Sequence, residues 1–161
     1  MEVFLIRHAH SGARTSGIRD EYRPLSEEGK QQAESLAGFF SERSVTEVHS
    51  SPATRCLQTV APLAAAANLQ VVEQTALWET ANLAEVLDLI EGRMEKPSDG
   101  EQALVMCSHG NLIPAVIDHL ARSGVNVVGR GCERASIWMI RTAEGRWTDA
   151  RYYTPRLDYA G

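Results

Sequence analysis

The chain has 161 residues, a net charge of -5, 43% hydrophobic and 23% charged residues, and no biased tract or repeat. Such a length suits a single domain, 1–161, with a substantial core, and the acidic balance gives no electrostatic footing to nucleic-acid or membrane-surface partners. An anionic substrate therefore needs a local positive pocket cut into an acidic protein. The opening MEVFLIRH is too short and too quickly charged for a signal peptide or a membrane span. The three cysteines (Cys56, Cys107, Cys132) are odd in number and form no CxxC pair, so no structural zinc site is expected; Cys56 and Cys107, inside apolar patterns, read as reduced, packed thiols of a cytoplasmic protein.

Glu2 to Arg7 is a short apolar run suited to a strand buried on both faces. A polar loop with Gly12, Gly17 and Pro24 precedes a helix over residues 26–40, with Ser26 as N-cap, Glu27 and Glu28 at the positive end of the dipole, and Ala33, Leu36, Ala37 and Phe40 on one face. Val45 to Ser50 reads as a second strand. Ser51-Pro52 reads as a cap and a first-turn proline for a helix that presents Cys56, Val60, Leu63 and Ala67 and should kink or break at Pro62. A third strand is expected at Leu69 to Val72, and a helix capped by Asn82 with Leu83, Val86, Leu87 and Ile90 inward. Residues 103–108 (ALVMCS) form the clearest later strand, running through His109-Gly110-Asn111 into a helix with Ile113, Val116, Ile117 and Leu120 on one face. Ala135–Thr142 and Arg146–Tyr153 alternate around AEG, the pattern of an antiparallel hairpin, expected at a sheet edge.

This alternation predicts an α/β fold: a three-layer sandwich with a mostly parallel central sheet, helices on both faces and a C-terminal antiparallel edge hairpin. Ligands of such sheets bind at the carboxyl ends of the strands. Arg7-His8-Ala9-His10 and Ser108-His109-Gly110-Asn111 both stand at strand carboxyl ends. If those strands are neighbours, Arg7, His8 and His109 converge, and Arg55, one turn inside its helix, leans back to the same rim. Two arginines, two histidines and a helix start after a glycine describe a pocket for a dianionic tetrahedral group. A neutral histidine there can attack phosphorus, the other groups can stabilise the equatorial oxygens, and a nearby carboxylic acid can protonate the leaving atom.

The Arg-His-Ala segment after the first strand, SSPATRCLQT over residues 50–59, and SHGN over 108–111 together resemble the histidine phosphatase superfamily, the phosphoglycerate-mutase-like fold, over most of the chain. The resemblance implies His8 as the nucleophile that forms a phosphohistidine, and Arg7, Arg55 and His109 completing the phosphate pocket. It also implies a Leu-x-Glu proton donor, matched here by Leu77-Trp78-Glu79, with Glu85 close by. Short length and Arg23-Pro24-Leu25 are similar to the small, uncapped bacterial protein phosphohistidine phosphatases, whereas Ala9 stands where many members have glycine.

The implied activity is that of a metal-independent phosphatase without a cofactor, acting on a phosphorylated small molecule or a phosphohistidine-bearing protein. A sugar- or nucleotide-phosphate phosphatase, or a mutase, is the alternative within the same chemistry. Two rivals come from other classes. A metal hydrolase would use His8 and His10 as an HxH ligand pair, but only His109 is well placed to join them. A non-catalytic phosphate-binding module would share the fold. His10 reads as a hydrogen-bonded loop histidine, Arg14, Arg19 and Arg23 as solvated cations of which one could close over a substrate, and Cys107 as a packed, inert thiol.

Overall fold

The computed structural model describes residues 1–95 and 100–155; the last six residues of the expected domain fall outside that range. In chain order the elements are β1 (Glu2–Arg7), α1 (Glu27–Phe39), β2 (Val45–Ser50), α2 (Thr54–Ala66), β3 (Val71–Glu73), α3 (Leu83–Met94), β4 (Ala103–Ser108), α4 (Leu112–Arg122), β5 (Asn126–Val128), β6 (Ile137–Ala143) and β7 (Arg146–Tyr153). Seven strands make one sheet in the order β3-β2-β4-β1-β6-β7-β5. β1 and β2 flank β4 in parallel, and β6 is antiparallel to both β1 and β7. β5 runs parallel to β7, so among the described strands only β6 points the opposite way.

The strands alternate their side chains between two cores, as the period of two requires. Phe4, Ile6, Val105 and Cys107 face α1 and α2, where Leu36, Val60 and Leu63 cover them. Val3, Leu5, Leu104 and Met106 face α3 and α4, covered by Ile90, Ile113, Val116 and Leu120. All six residues of β4 are buried, because both faces and both edges of that strand are occupied. The three-layer architecture expected from the sequence is the one observed.

Local signals account for most helix ends. The Ser26 hydroxyl accepts from Gly29 N at the start of α1. Asn82 and Glu85 form a reciprocal capping box at the start of α3. Three expectations need correction. α2 starts at Thr54 behind Ala53, not behind Ser51, whose hydroxyl accepts from Ala53 N ahead of the helix and also faces His109 Nε2. The same helix runs through Pro62 to Ala66 instead of breaking there. The hairpin β6–β7 forms around Glu144 and Gly145, both at positive φ as a tight two-residue turn requires, but it lies inside the sheet. The short strand β5 takes the edge, and its three residues carry no apolar alternation that would have announced it.

One glycine sets how α1 meets the loop after β1. A Cβ on Gly29 would lie 1.9 Å from the carbonyl oxygen of His10, backbone against backbone. Gly29→Ala gains helix propensity of about 1 kcal/mol, yet neither backbone can yield cheaply, so overpacking costing roughly 1–3 kcal/mol prevails. The variant should melt several degrees lower; a midpoint equal to or above the parent's would show that the close approach is dispensable.

Candidate active site

Register brings the two histidine segments together. β1 and β4 pair in parallel with Arg7 opposite Ser108, so His8 and His109 emerge side by side at the carboxyl end of the sheet. Their rings stand 5.5 Å apart. The emerging backbone is tied down on several sides: His8 N donates to Ser108 O, Ala9 N donates to the Thr59 hydroxyl of α2, and Ala135 N donates to Arg7 O.

His8 is 6% exposed, and its Nδ1 lies 2.8 Å from the carbonyl of Ala9. A carbonyl can only accept, so Nδ1 carries the hydrogen and Nε2 keeps its lone pair. Burial pushes the imidazole from 6.5 down to about 3; the Ala9 bond opposes this, and the charges of Arg55, His109 and Arg7 reinforce it. The unfolded imidazole takes a proton near 6.5 that the folded one refuses until about 3. Through this residue, folding stability is therefore lost as pH falls across that interval and is unaffected above it. By NMR, the His8 ring should show no titration from about pH 5 to 8, and a midpoint near 6.5 would contradict the buried neutral state.

Arg55, the second residue of α2, is 2% exposed. Its Nη1 donates to the main-chain oxygen of Asp20 at 2.8 Å. Its Nη2 lies 3.4 Å from Asp20 Oδ2, 3.4 Å from Glu79 Oε2 and 3.5 Å from His109 Nδ1. The other nitrogen of His109, Nε2, faces the Ser51 hydroxyl at 2.9 Å. Arg7 Nη1 donates to the carbonyl of Cys132 at 2.6 Å, and its guanidinium lies against Gly110, where a Cβ would come within 2.7 Å of Cζ. The glycine of SHGN is thus the space that Arg7 occupies. Among the described residues, Arg7 Nε, Arg55 Nε and Ser136 Oγ are buried without a hydrogen-bond partner.

Glu79 reaches the cluster because its loop is fastened to the end of β4. Ser108 Oγ donates to Leu77 O, and Asn111 Nδ2 donates to Glu79 O. Its carboxylate lies 3.9 Å from His109 Nδ1 and is 40% exposed, open to solvent. The neighbouring candidate Glu85 is spent on the α3 cap.

All five residues singled out from the sequence, Arg7, His8, Arg55, Glu79 and His109, meet here. His10 does not: its Nδ1 lies 2.6 Å from the Ser26 hydroxyl, away from His8, as a loop histidine. Among the described residues, no three His, Cys, Asp or Glu side chains gather as a metal-binding group. Cys107 is fully buried, and burial raises its thiol pKa. Asp20, Ser51 and Asn111 were missed, although Ser51 and Asn111 stand inside the two motifs. Arg23 is not a solvated cation: its Nε donates to Asp20 Oδ1 at 2.9 Å, and its Nη1 donates to Ser11 Oγ and Gly12 O.

Two arginines, two histidines and a flanking carboxylate gather at the carboxyl ends of parallel strands on a three-layer α/β sheet. A family model described as histidine phosphatase superfamily (branch 1) matches residues 3–85, and the chain belongs to that superfamily. The matched segment contains Arg7, His8, Arg55 and Glu79, with His109 beyond it.

Similarity extends to an 8-oxo-(d)GTP phosphatase of Mycolicibacterium smegmatis, 28% identical over 95% of this chain and 48% of the relative. A phosphoserine phosphatase 1 of Hydrogenobacter thermophilus is 35% identical over 62% of this chain and 48% of the relative. The chain thus spans about half the length of the curated relatives it matches. Among solved structures, a protein histidine phosphatase SixA complexed with tungstate superposes with a TM-score of 0.74 at 18% identity, covering 96% of this chain and 95% of that one; it shows the shared fold. Among the described residues, no helix is long and apolar enough to cross a membrane.

Proposed function

We propose that the protein, read as one domain over 1–161, is a cytoplasmic, metal-independent phosphatase that hydrolyses a phosphomonoester or a protein phosphohistidine through a covalent phosphohistidine on His8. The observation that carries this reading is the state of His8: neutral, with Nδ1 bonded to Ala9 O, and surrounded by Arg7, Arg55 and His109. In the first step the Nε2 lone pair forms a bond to phosphorus, and the bond from phosphorus to the leaving oxygen or nitrogen breaks. Arg7, Arg55 and His109 take up charge on the equatorial oxygens, while the Glu79 carboxyl hands a proton to the leaving atom. In the second step a water oxygen bonds to phosphorus, its proton passes to the Glu79 carboxylate, and the bond to Nε2 breaks, which returns His8 neutral.

The substrate is either a small phosphoester or a phosphohistidine-bearing protein. What the Mycolicibacterium relative is named for favours a nucleotide phosphate; what the fold neighbour with tungstate is named for favours a protein phosphohistidine. The test is a panel of p-nitrophenyl phosphate, nucleotides, sugar phosphates and a phosphohistidine protein, run with and without a chelator. Turnover insensitive to the chelator is expected. Phosphate binding with no turnover of any substrate would leave a non-catalytic phosphate-binding module, and chelator-sensitive turnover would restore the metal reading.

A further inference from the structure

Arg55 presents two kinds of contact to Asp20, and they separate cleanly. The main-chain oxygen of Asp20 holds Nη1 at 2.8 Å, whereas its carboxylate approaches Nη2 at 3.4 Å. The backbone contact holds Nη1 whatever the charge on the Asp20 side chain. The carboxylate instead places a negative charge on the nitrogen that a phosphoryl oxygen would use. Arg23 Nε at 2.9 Å and Arg14 Nε at 3.4 Å hold the same carboxylate from the loop side. Arg23 is itself fixed by Ser11 Oγ and Gly12 O, so Asp20 keeps an arginine partner after giving up Arg55.

We propose that Asp20 is an affinity-setting counter-ion of the phosphate pocket, a carboxylate that shares Arg55 Nη2 with the phosphoryl group and weakens the pocket's hold on substrate and on inorganic phosphate alike. The inference rests on the phosphatase reading. Asp20 is distinct from a proton donor. Its burial opposes ionisation, but the Arg23 hydrogen bond and the charges of Arg55, Arg23 and Arg14 hold its carboxyl below the usual range, so it stays anionic. A like charge beside a bound dianion penalises both bound states, which affects affinity in the manner of uniform binding. A pocket of two arginines and two histidines that binds phosphate too tightly stalls on its own product; the carboxylate counters that.

The test is Asp20→Asn, which removes the charge and retains the main-chain oxygen. The inhibition constant for inorganic phosphate and the KM for p-nitrophenyl phosphate should both fall, by about three- to tenfold, and Asp20→Glu should restore the parent values. If Asp20 served only to orient Arg55, both constants would rise; a rise or no change overturns the proposal. A second measurement uses the unaltered protein: saturation with inorganic phosphate should raise the Asp20 carboxyl pKa, followed by carbon-13 NMR, and an unchanged or lowered value overturns it equally. Failure of the parent protein both to bind phosphate and to hydrolyse p-nitrophenyl phosphate would overturn the phosphatase reading and this inference together. Binding and turnover in the parent without tighter binding in Asp20→Asn would overturn this inference alone.

Discussion

His8→Ala is expected to abolish turnover, by roughly 10⁴-fold or more, and with it any acid-labile label transferred to the protein from a radiolabelled substrate. The size of the effect follows from geometry: the His8 ring alone presents a free nitrogen lone pair at the centre of the cluster. His109 Nε2 faces the Ser51 hydroxyl at 2.9 Å, and its Nδ1 lies 3.5 Å from Arg55 Nη2 and 3.9 Å from Glu79 Oε2. It is expected to meet a phosphoryl oxygen rather than attack phosphorus. Phosphate binding should survive in the variant, because Arg7, Arg55 and His109 remain. Persistent labelling would move the nucleophile to another residue, and loss of phosphate binding along with turnover would show that His8 holds the pocket's shape.

Arg55→Ala should lower kcat/KM by roughly 10³-fold, and Arg55→Lys should recover only part of it, since an ammonium cannot reproduce the planar fork. Folding should respond far less than activity. The guanidinium is 2% exposed, but its carboxylate partners Asp20 and Glu79 are 30% and 40% exposed, so water can take over when the cation is lost. Its removal also relieves the positive charge crowded around His8, one of the causes that depress that imidazole. A thermal midpoint within a few degrees of the parent, beside a collapse in kcat/KM, is the expected pair of results. A variant that fails to fold would instead make Arg55 a structural ion.

Asp20 and Glu79 differ in what their loss should reveal, although both lie 3.4 Å from the same nitrogen of Arg55. Asp20 is gripped by three arginines and stays ionised, so it acts through charge. Glu79 stands next to His109 on a loop held by its backbone, with its carboxyl open to solvent. Glu79→Gln should slow turnover most with poor leaving groups and least with p-nitrophenyl phosphate, whose leaving group departs without much help from an acid. Equal losses across leaving groups would remove Glu79 from the role of proton donor.

Much of the fold was legible because its signals are local. The apolar runs of β1 and β4, the Ser26 and Asn82 caps, and the stripes of α1, α3 and α4 each lie within a few residues of one another. The start of α2 falls at Thr54 rather than after Ser51: the Ser51 hydroxyl accepts from Ala53 N in the turn before the helix and also meets a histidine 58 positions away. Pro62 did not break its helix, since packing of Val60, Leu63 and Ala64 into the core holds the turns on either side. β5 carried no pattern at all; three residues at an edge owe their pairing to β7.

From the sequence came the candidate groups: Arg7, His8, Arg55 and His109 stand in the three segments that resemble the histidine phosphatase superfamily, and Glu79 in a Leu-x-Glu setting. Tertiary structure decided how those groups are tuned. The parallel register of β1 against β4 sets the two histidines side by side. The Ala9 carbonyl selects the His8 tautomer. The loop carrying Asp20 folds back onto Arg55 across 35 positions of chain. Such ion pairs and tautomers depend on distances between segments far apart in sequence, and no local pattern of residue types encodes a distance.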